Sequence, residues 1–387
     1  MIPYKDIIKN YFQENNCDFN VKSNDINEIF IECINSNEIN QLKLYMEYII
    51  NNNIKININE STENGTYALL YASSNSDTEI VQLLIDYSIK NKTILELNEK
   101  NDDGSYPLLE ACDNDNMEIV QLLIDYANKK KIILELNEKS RDGLFPLLCA
   151  CCPENDTEIV ELLIEYAKKK RIVLELNEKD EDGSYPILNA CGYNSSKIIN
   201  LLIQYANENN IILELNEKSK KGNYPLLLAV KENKNPTITR ILMEYASMKK
   251  IILNINENDL GNISDISEEI MELFITYDEF INFSCSKNSE LIKRKNEMKR
   301  NKTTSISSNE FTKTDPSQEL IFQRPFNKEK ICPLVIENNI NSTIIFKVKT
   351  TNPNNYIVIP NCNKIGVGEK CNVKIKHIIT NEEFPVC

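Results

Sequence analysis

The sequence predicts a mainly α-helical solenoid of tandem units followed by a small β-sandwich, and three observations lead there. Residues 98–126, NEKNDDGSYPLLEACDNDNMEIVQLLIDY, recur nearly word for word from Asn137, Asn177 and Asn216, and more weakly from Asn59. The marker glycines Gly65, Gly104, Gly143, Gly183 and Gly222 stand 39, 39, 40 and 39 residues apart, and a fixed period of this size marks a stacked repeat array. From Asp315 onward the helical pattern gives way to short β-branched runs separated by asparagine and proline.

The elements follow in chain order. Residues 1–24 are polar, with Tyr4, Ile7, Ile8, Tyr11 and Phe12 predicting one helix. Residues 25–50 carry two helical runs, from Ile26 and from Ile39, without the glycine–proline signature. That is expected of an atypical capping repeat whose outer face meets water. In each full unit, Asp102-Asp103-Gly104 is a turn in which glycine supplies the positive φ. Pro107 suits a first helical position, because that N–H has no partner in the helix. Leu108, Leu109 and Ala111 begin a short apolar helix, and Ile119, Val120, Leu122, Leu123 and Tyr126 keep helical spacing on a second. Neither helix buries its apolar face alone, and stacking on neighbours does so. Leu162 and Leu163 are both expected at the centre of the third repeat. The last copy, 256–261, lacks the proline and leads into an expected capping helix over 267–283, containing Ile270, Met271, Phe274 and Ile275.

Gly104-Ser105-Tyr106-Pro107-Leu108, then Ala111, then Ile119-Val120-Gln121-Leu122-Leu123, resembles the ankyrin repeat over about two thirds of the chain. The resemblance implies an ankyrin-repeat solenoid that binds protein partners. Two features depart from the family. Where it has threonine before the proline, this chain has Tyr67, Tyr106, Phe145, Tyr185 and Tyr224, so packing is expected to hold the helix start. The period also exceeds the ~33 residues of the common unit. The surplus sits in segments such as 127–136, which predicts a longer second helix or finger.

The net charge of −14 argues against a nucleic-acid-binding protein as a whole. No apolar run approaches the ~18 residues of a membrane span, and MIPYKDIIKN lacks a signal-peptide core. A cytoplasmic location is expected. The bias toward Asn, Ile and Lys fits an A/T-rich genome. Of 12 cysteines, Cys112, Cys151 and Cys191 recur in one slot after the helical alanine, which reads as a packing slot in a reducing compartment. Cys149, Cys151 and Cys152 cluster, but no pair of C-x-x-C motifs exists and His377 is the only histidine. No metal or cofactor is expected.

Residues 284–314 contain the basic run Lys293-Arg294-Lys295, Lys299-Arg300 and Lys302, followed by a serine–threonine tract. They read as a solvated helix end and flexible linker, or as a nuclear-localisation or acidic-surface contact. Beyond them, 319–322, 332–336, 343–351 and 356–359 are predicted strands of an antiparallel sandwich. Alternation over 346–351 puts Lys347, Lys349 and Thr351 on one face and Phe346, Val348 and Thr350 on the other. The former is a candidate site for an acidic extended ligand.

Glu319-Leu-Ile-Phe322 with Pro325-Phe326, Phe346-Lys-Val-Lys-Thr-Thr-Asn-Pro353, Tyr356, Pro360-Asn361 and Gly366 or Gly368 resemble the major sperm protein domain, nearest by motif to the VAP proteins. The resemblance implies an immunoglobulin-like β-sandwich whose lysine–threonine segment receives acidic di-phenylalanine (FFAT) peptides. By position, Lys349 and Thr351 would contact such a peptide, with Lys347 nearby. The segment to Cys387 has no counterpart of the family's closing strands or of the VAP membrane anchor, so an incomplete β domain is expected.

No glycine-rich phosphate loop, G-x-S-x-G or H-E-x-x-H is present, and the repeats contain no histidine to act as a base. Acidic pairs such as Asp102–Asp103 and Glu181–Asp182 read as solvated turns. The expected organisation is N-terminal helices and a capping repeat over 1–58, the array and its cap over 59–283, a basic linker over 284–314 and a partial major sperm protein-like domain over 315–387. The expected function is a non-enzymatic interaction scaffold or adaptor, the alternative a VAP-like recruiter or membrane-contact tether.

Overall fold

A computed structural model of the protein describes residues 4–18, 20–36, 38–152, 157–232, 234–284 and 289–306, and strands 312–315, 331–338, 344–347, 356–359, 362–365 and 370–377. Two compact units divide the chain, Met1–Lys293 and Arg294–Cys387.

The first unit is a two-layer helical stack. Helices Tyr4–Glu14, Ile26–Asn35 and Ile39–Asn51 form its N-terminal end. Five repeats follow, each with a short first helix and a longer second one. The first helices are Ala68–Ser74, Pro107–Asp113, Pro146–Ala150, Pro186–Gly192 and Pro225–Leu227, the last continued by a π-helical turn, Leu228–Glu232. The second helices are Thr78–Asn91, Met117–Lys130, Glu158–Lys170, Ser196–Glu208 and Pro236–Lys249. Proline opens four of the first helices, where its missing N–H costs nothing. Asp77, Asn116, Ser195 and Asn235 cap second helices by accepting from backbone N–H groups, each cap contributing about 1 kcal/mol.

The buried face of the third repeat's second helix is Ile159, Val160, Leu163, Ile164, Tyr166 and Ala167. Leu162, expected beside Leu163 at the centre, is only half-buried. Leu162, Leu163 and Ile164 together span about 200° of the helix, wider than one core stripe, so Leu162 falls at its edge.

Beyond each second helix the chain runs extended toward the next finger, with alternate residues buried: Leu95 and Leu97, Leu134 and Leu136, Leu174 and Leu176, Leu213 and Leu215. The surplus length therefore supplies both a second helix of 13–14 residues and this extended segment. Its backbone groups are bonded by side chains of neighbouring repeats. Asn98 Nδ2 donates to the Ile133 carbonyl at 2.7 Å while its Oδ1 accepts from Glu135 N–H at 3.2 Å. Asn59, Asn137, Asn177 and Asn216 repeat the pair of bonds. On the other side Tyr126, Tyr166, Tyr205 and Tyr245 hydroxyls each accept from a backbone N–H, of Leu95, Leu134, Leu174 and Leu213, at 3.0 Å.

The aromatic residues at the starts of the first helices make no cap hydrogen bond, as expected, and their rings are buried. Packing is joined by a longer bond that the expectation omitted. Tyr67, Tyr106 and Tyr185 hydroxyls donate to the carbonyls of Glu99, Glu138 and Glu217 at 3.1, 3.0 and 2.9 Å. A phenol reaches a neighbouring repeat that a threonine hydroxyl would not.

The expected helix over 267–283 is shorter, Glu268–Thr276, with Ser267 as its N-cap. Ile270, Met271 and Phe274 are buried in it, whereas Ile275 is half-buried. Phe283 instead lies in strand β2 (Ile281–Ser284), which pairs in parallel with β1 (Leu253–Asn256). The reason lies in the ladder. Interior extended segments receive a tyrosine hydroxyl from the next repeat; at the end of the array, backbone pairing by β2 takes that role.

Cys112, Cys151 and Cys191 are buried, and burial raises all three thiols, with nearby acidic groups adding to it at Cys112 and the Cys152 sulfur at Cys151. Cys152, half-buried, is pushed up to about 11 by burial, with an opposing hydrogen bond from Asn189. Thiols held neutral in this way fill space as small apolar groups.

The segment expected as a linker carries a helix, Glu290–Ile306, in which Leu291 and Lys295 are buried. In the second unit, β3 (Thr312–Asp315), β4 (Ile331–Asn338), β8 (Lys370–His377) and β6 (Tyr356–Ile359) form one antiparallel sheet in that order. A second sheet pairs β5 (Ile344–Lys347) with β7 (Cys362–Ile365). The strand predicted over 319–322 lies outside the described residues. Strands β3, β7 and β8 had no counterpart in the sequence reading.

Candidate protein-interaction surface

Each finger is a tight turn closed by its own polar residue. In the second repeat Gly104, at φ 77°, donates to the Asn101 carbonyl at 2.9 Å, and Ser105 N–H bonds to Asn101 Oδ1 at 2.9 Å. Ser140, Asp180 and Ser219 accept in the same way in later fingers. Adjacent tips are joined through backbone. Asp102, Arg141, Glu181 and Lys220 N–H groups donate to the carbonyls of Asn64, Asp103, Asp142 and Asp182 at 2.8–3.0 Å. Lys100–Glu138, Lys139–Glu178 and Lys179–Glu217 ion pairs, each 2.7 Å, bridge successive repeats below the tips. The same lysines lie 5.8–5.9 Å from the ring centroids of Tyr106, Phe145 and Tyr185. The fingers are thus pre-organised, and binding would cost little ordering entropy.

Upon this uniform frame, side chains of the first helix and of the fingertip differ from repeat to repeat. Along the first helix, the position before the invariant alanine is Tyr71, Glu110, Cys149, Asn189 and Leu228, and the position two after it is Ser74, Asp113, Cys152, Gly192 and Lys231. At the fingertip, the residue before the glycine is Asn64, Asp103, Asp142, Asp182 and Lys221. Burial is the main cause raising the Glu110 carboxyl above the usual carboxylate range. Asp113 adds to the rise and a hydrogen bond from Ser105 opposes it.

Between the fourth and fifth repeats some of these positions, Asp182, Asn189, Lys221 and Leu228, line one groove of about 330 Å³ together with Tyr193, which follows the first helix. Tyr193 is 45% exposed there, and an amphipathic ring in a polar-rimmed groove is the kind of anchor that carries interface energy. Among the described residues no group of three or more His, Cys, Asp or Glu is placed to hold a metal. Sequence reasoning missed this groove. The signal was available in the positions where otherwise near-identical repeats disagree.

The peptide-binding residues expected in the β unit divide. Lys347 ends β5, opposite Cys362 in the register with β7. Lys349 and Thr351 lie outside the described residues.

Comparison with known proteins gives the class of each unit. Residues 91–173 match the family described as ankyrin repeats (3 copies), residues 40–85 match ankyrin repeats (many copies), and residues 312–384 match the MSP (Major sperm protein) domain. The chain carries ankyrin repeats in its N-terminal region and a major sperm protein domain near its C-terminus. The β unit is similar to vesicle-associated membrane protein-associated protein SCS22 of Saccharomyces cerevisiae, 40% identical over 58 residues, which is 15% of this chain and 33% of that protein. It is also similar to vesicle-associated protein 3-1 of Arabidopsis thaliana, 38% identical over 72 residues, 18% of this chain and 46% of that one. The chain spans less than half the length of these relatives. Ankyrin repeats and major sperm protein domains are interaction modules, and protein partners follow from both. Among the described residues no helix is long and apolar enough to cross a membrane.

Proposed function

We propose that the protein is a non-enzymatic scaffold or adaptor of the cytoplasm, whose ankyrin array grips a protein partner along the fingers and first helices. The observation that carries this reading is the groove between the fourth and fifth repeats, lined by side chains that differ between repeats over a frame of repeating hydrogen bonds. A partner reads what differs between repeats, and here that is an aromatic, an amide and charges around one groove. Tyr193→Arg with Asn189→Arg should cut recovery of a specific partner in affinity enrichment by about tenfold or more, since central aromatic anchors contribute about 2 kcal/mol or more. Leu162→Ala, outside the groove, should leave recovery unchanged. An identical set of proteins recovered with the groove variant would sink the assignment.

The match to the major sperm protein domain and to vesicle-associated relatives favours a second, compatible role, recruitment of acidic di-phenylalanine peptides by Lys347, Lys349 and Thr351. An acidic peptide titrated against the full chain should bind, weaken as salt rises, and lose affinity in a Lys349→Asp, Thr351→Asp variant. Equal binding by wild type and variant would remove this face from the function. Tethering at a membrane would rest on the same peptide site.

A further inference from the structure

The extended segments between repeats carry a second surface. Their outward residues Ile94, Ile133, Val173, Ile212 and Ile252 are 47–60% exposed, one per repeat, and make up five of the ten large hydrophobics exposed among the described residues. Extended backbone does not explain them, because the asparagine and tyrosine ladders already hold that backbone. The first three are flanked in chain order by charge on both sides, Ile212 and Ile252 on one side each, where Asn210 and Asn254 take the other place. Exposed Lys92, Lys131, Arg171 and Lys250 stand two residues before the apolar residue, at the left-handed ends of the second helices. Exposed Glu96, Glu135, Glu175 and Glu214 stand two residues after it. In the fingers, lysine and glutamate pair off within the array. In this stripe, among the described residues, neither the cations nor the carboxylates form an ion pair.

A stripe ordered cation, aliphatic, carboxylate, complete in the first three rungs and with asparagine in place of one charge in each of the last two, is its own complement under one symmetry operation. A two-fold axis running along the stripe lays a second copy face to face, aliphatic row on aliphatic row, with each cation row opposite the partner's carboxylates. A two-fold across the stripe would set like charges together, a costly arrangement. We propose that the protein self-associates through this stripe as a parallel, two-fold dimer. Four residues of extended chain span about 13 Å, and repeats stacked at helix-packing distance place the rungs roughly 10 Å apart. The buried area is then on the order of 500 Å² per copy, below the ~800 Å² of a standard interface. The dimer is therefore weak and concentration-dependent.

Sedimentation velocity on the full chain, from low micromolar to several hundred micromolar, should show a reversible rise toward dimer mass that weakens with added salt. Two charge-swapped variants give the decisive test. Glu135→Lys with Glu175→Lys makes both flanks of the second and third rungs cationic, while Lys131→Glu with Arg171→Glu makes both anionic. Each alone should lose self-association by tenfold or more, and an equimolar mixture should restore a heterodimer. Circular dichroism of each confirms folding, and recovery on mixing is an outcome that misfolding cannot imitate. A wild type that stays monomeric throughout, as it would if the stripe serves a different protein, overturns the proposal. So does undiminished dimer in the variants, or a mixture that stays monomeric.

Discussion

Leu163→Ala is expected to destabilise the array by about 2–5 kcal/mol, the range for deleting a fully buried leucine side chain where the surroundings relax only in part. Leu163 is 0% exposed, in the second helix of the middle repeat, between the second helices of its neighbours. Stability in such a stack is carried by nearest-neighbour interfaces, so a defect there weakens the coupling of the two halves. Urea melts should show a lower midpoint and a broadened or divided transition. Leu162→Ala is the paired control. That side chain is half-buried in the notch lined by Gln121, Tyr166 and Lys169, and its loss should cost about 1 kcal/mol. Equal losses at the two leucines, or a loss below about half a kcal/mol at Leu163, would refute the packing described.

Gly143→Ala should cost about 2–5 kcal/mol, for two separable reasons. At φ 80° an L-residue carries a backbone penalty of about 1–2 kcal/mol. A methyl group there would also stand 2.8 Å from Asp180 Cα and 3.0 Å from Glu181 N, backbone atoms of the next finger that no rotamer change can move. Relieving that overlap pushes apart two fingers joined by the Glu181 N–H to Asp142 carbonyl bond at 2.9 Å, an overpacking cost of about 1–3 kcal/mol. Gly222 has the same conformation, φ 81°, with nothing within 4 Å of the added carbon. Gly222→Ala should therefore show the backbone penalty alone. The difference between the two melts measures how closely the fingers stack, and no difference would mean that they do not.

The sequence alone determined the period, the finger and helix of each repeat, the packing role of Cys112, Cys151 and Cys191, and the kinds of unit at either end. Glycine, proline and apolar spacing report local conformation and the buried face, because both act within a few residues of chain. Tertiary structure decided everything that joins residues 31 to 40 positions apart. Asn98 recurs in every repeat as a plain asparagine, and nothing in the sequence says that its amide reaches Ile133 and Glu135. The ring of Tyr106 was expected to hold its helix start by packing, and its phenol proved also to bridge to the Glu138 carbonyl. Leu162 and Leu163 were equivalent in apolarity until the stack chose one side of the helix. Phe283 fitted a helical pattern, yet the unpaired edge at Leu253–Asn256 drew its segment into a strand. In each case a polar or edge group needed a partner, and only the stacking of one repeat on the next determined which partner lay within reach.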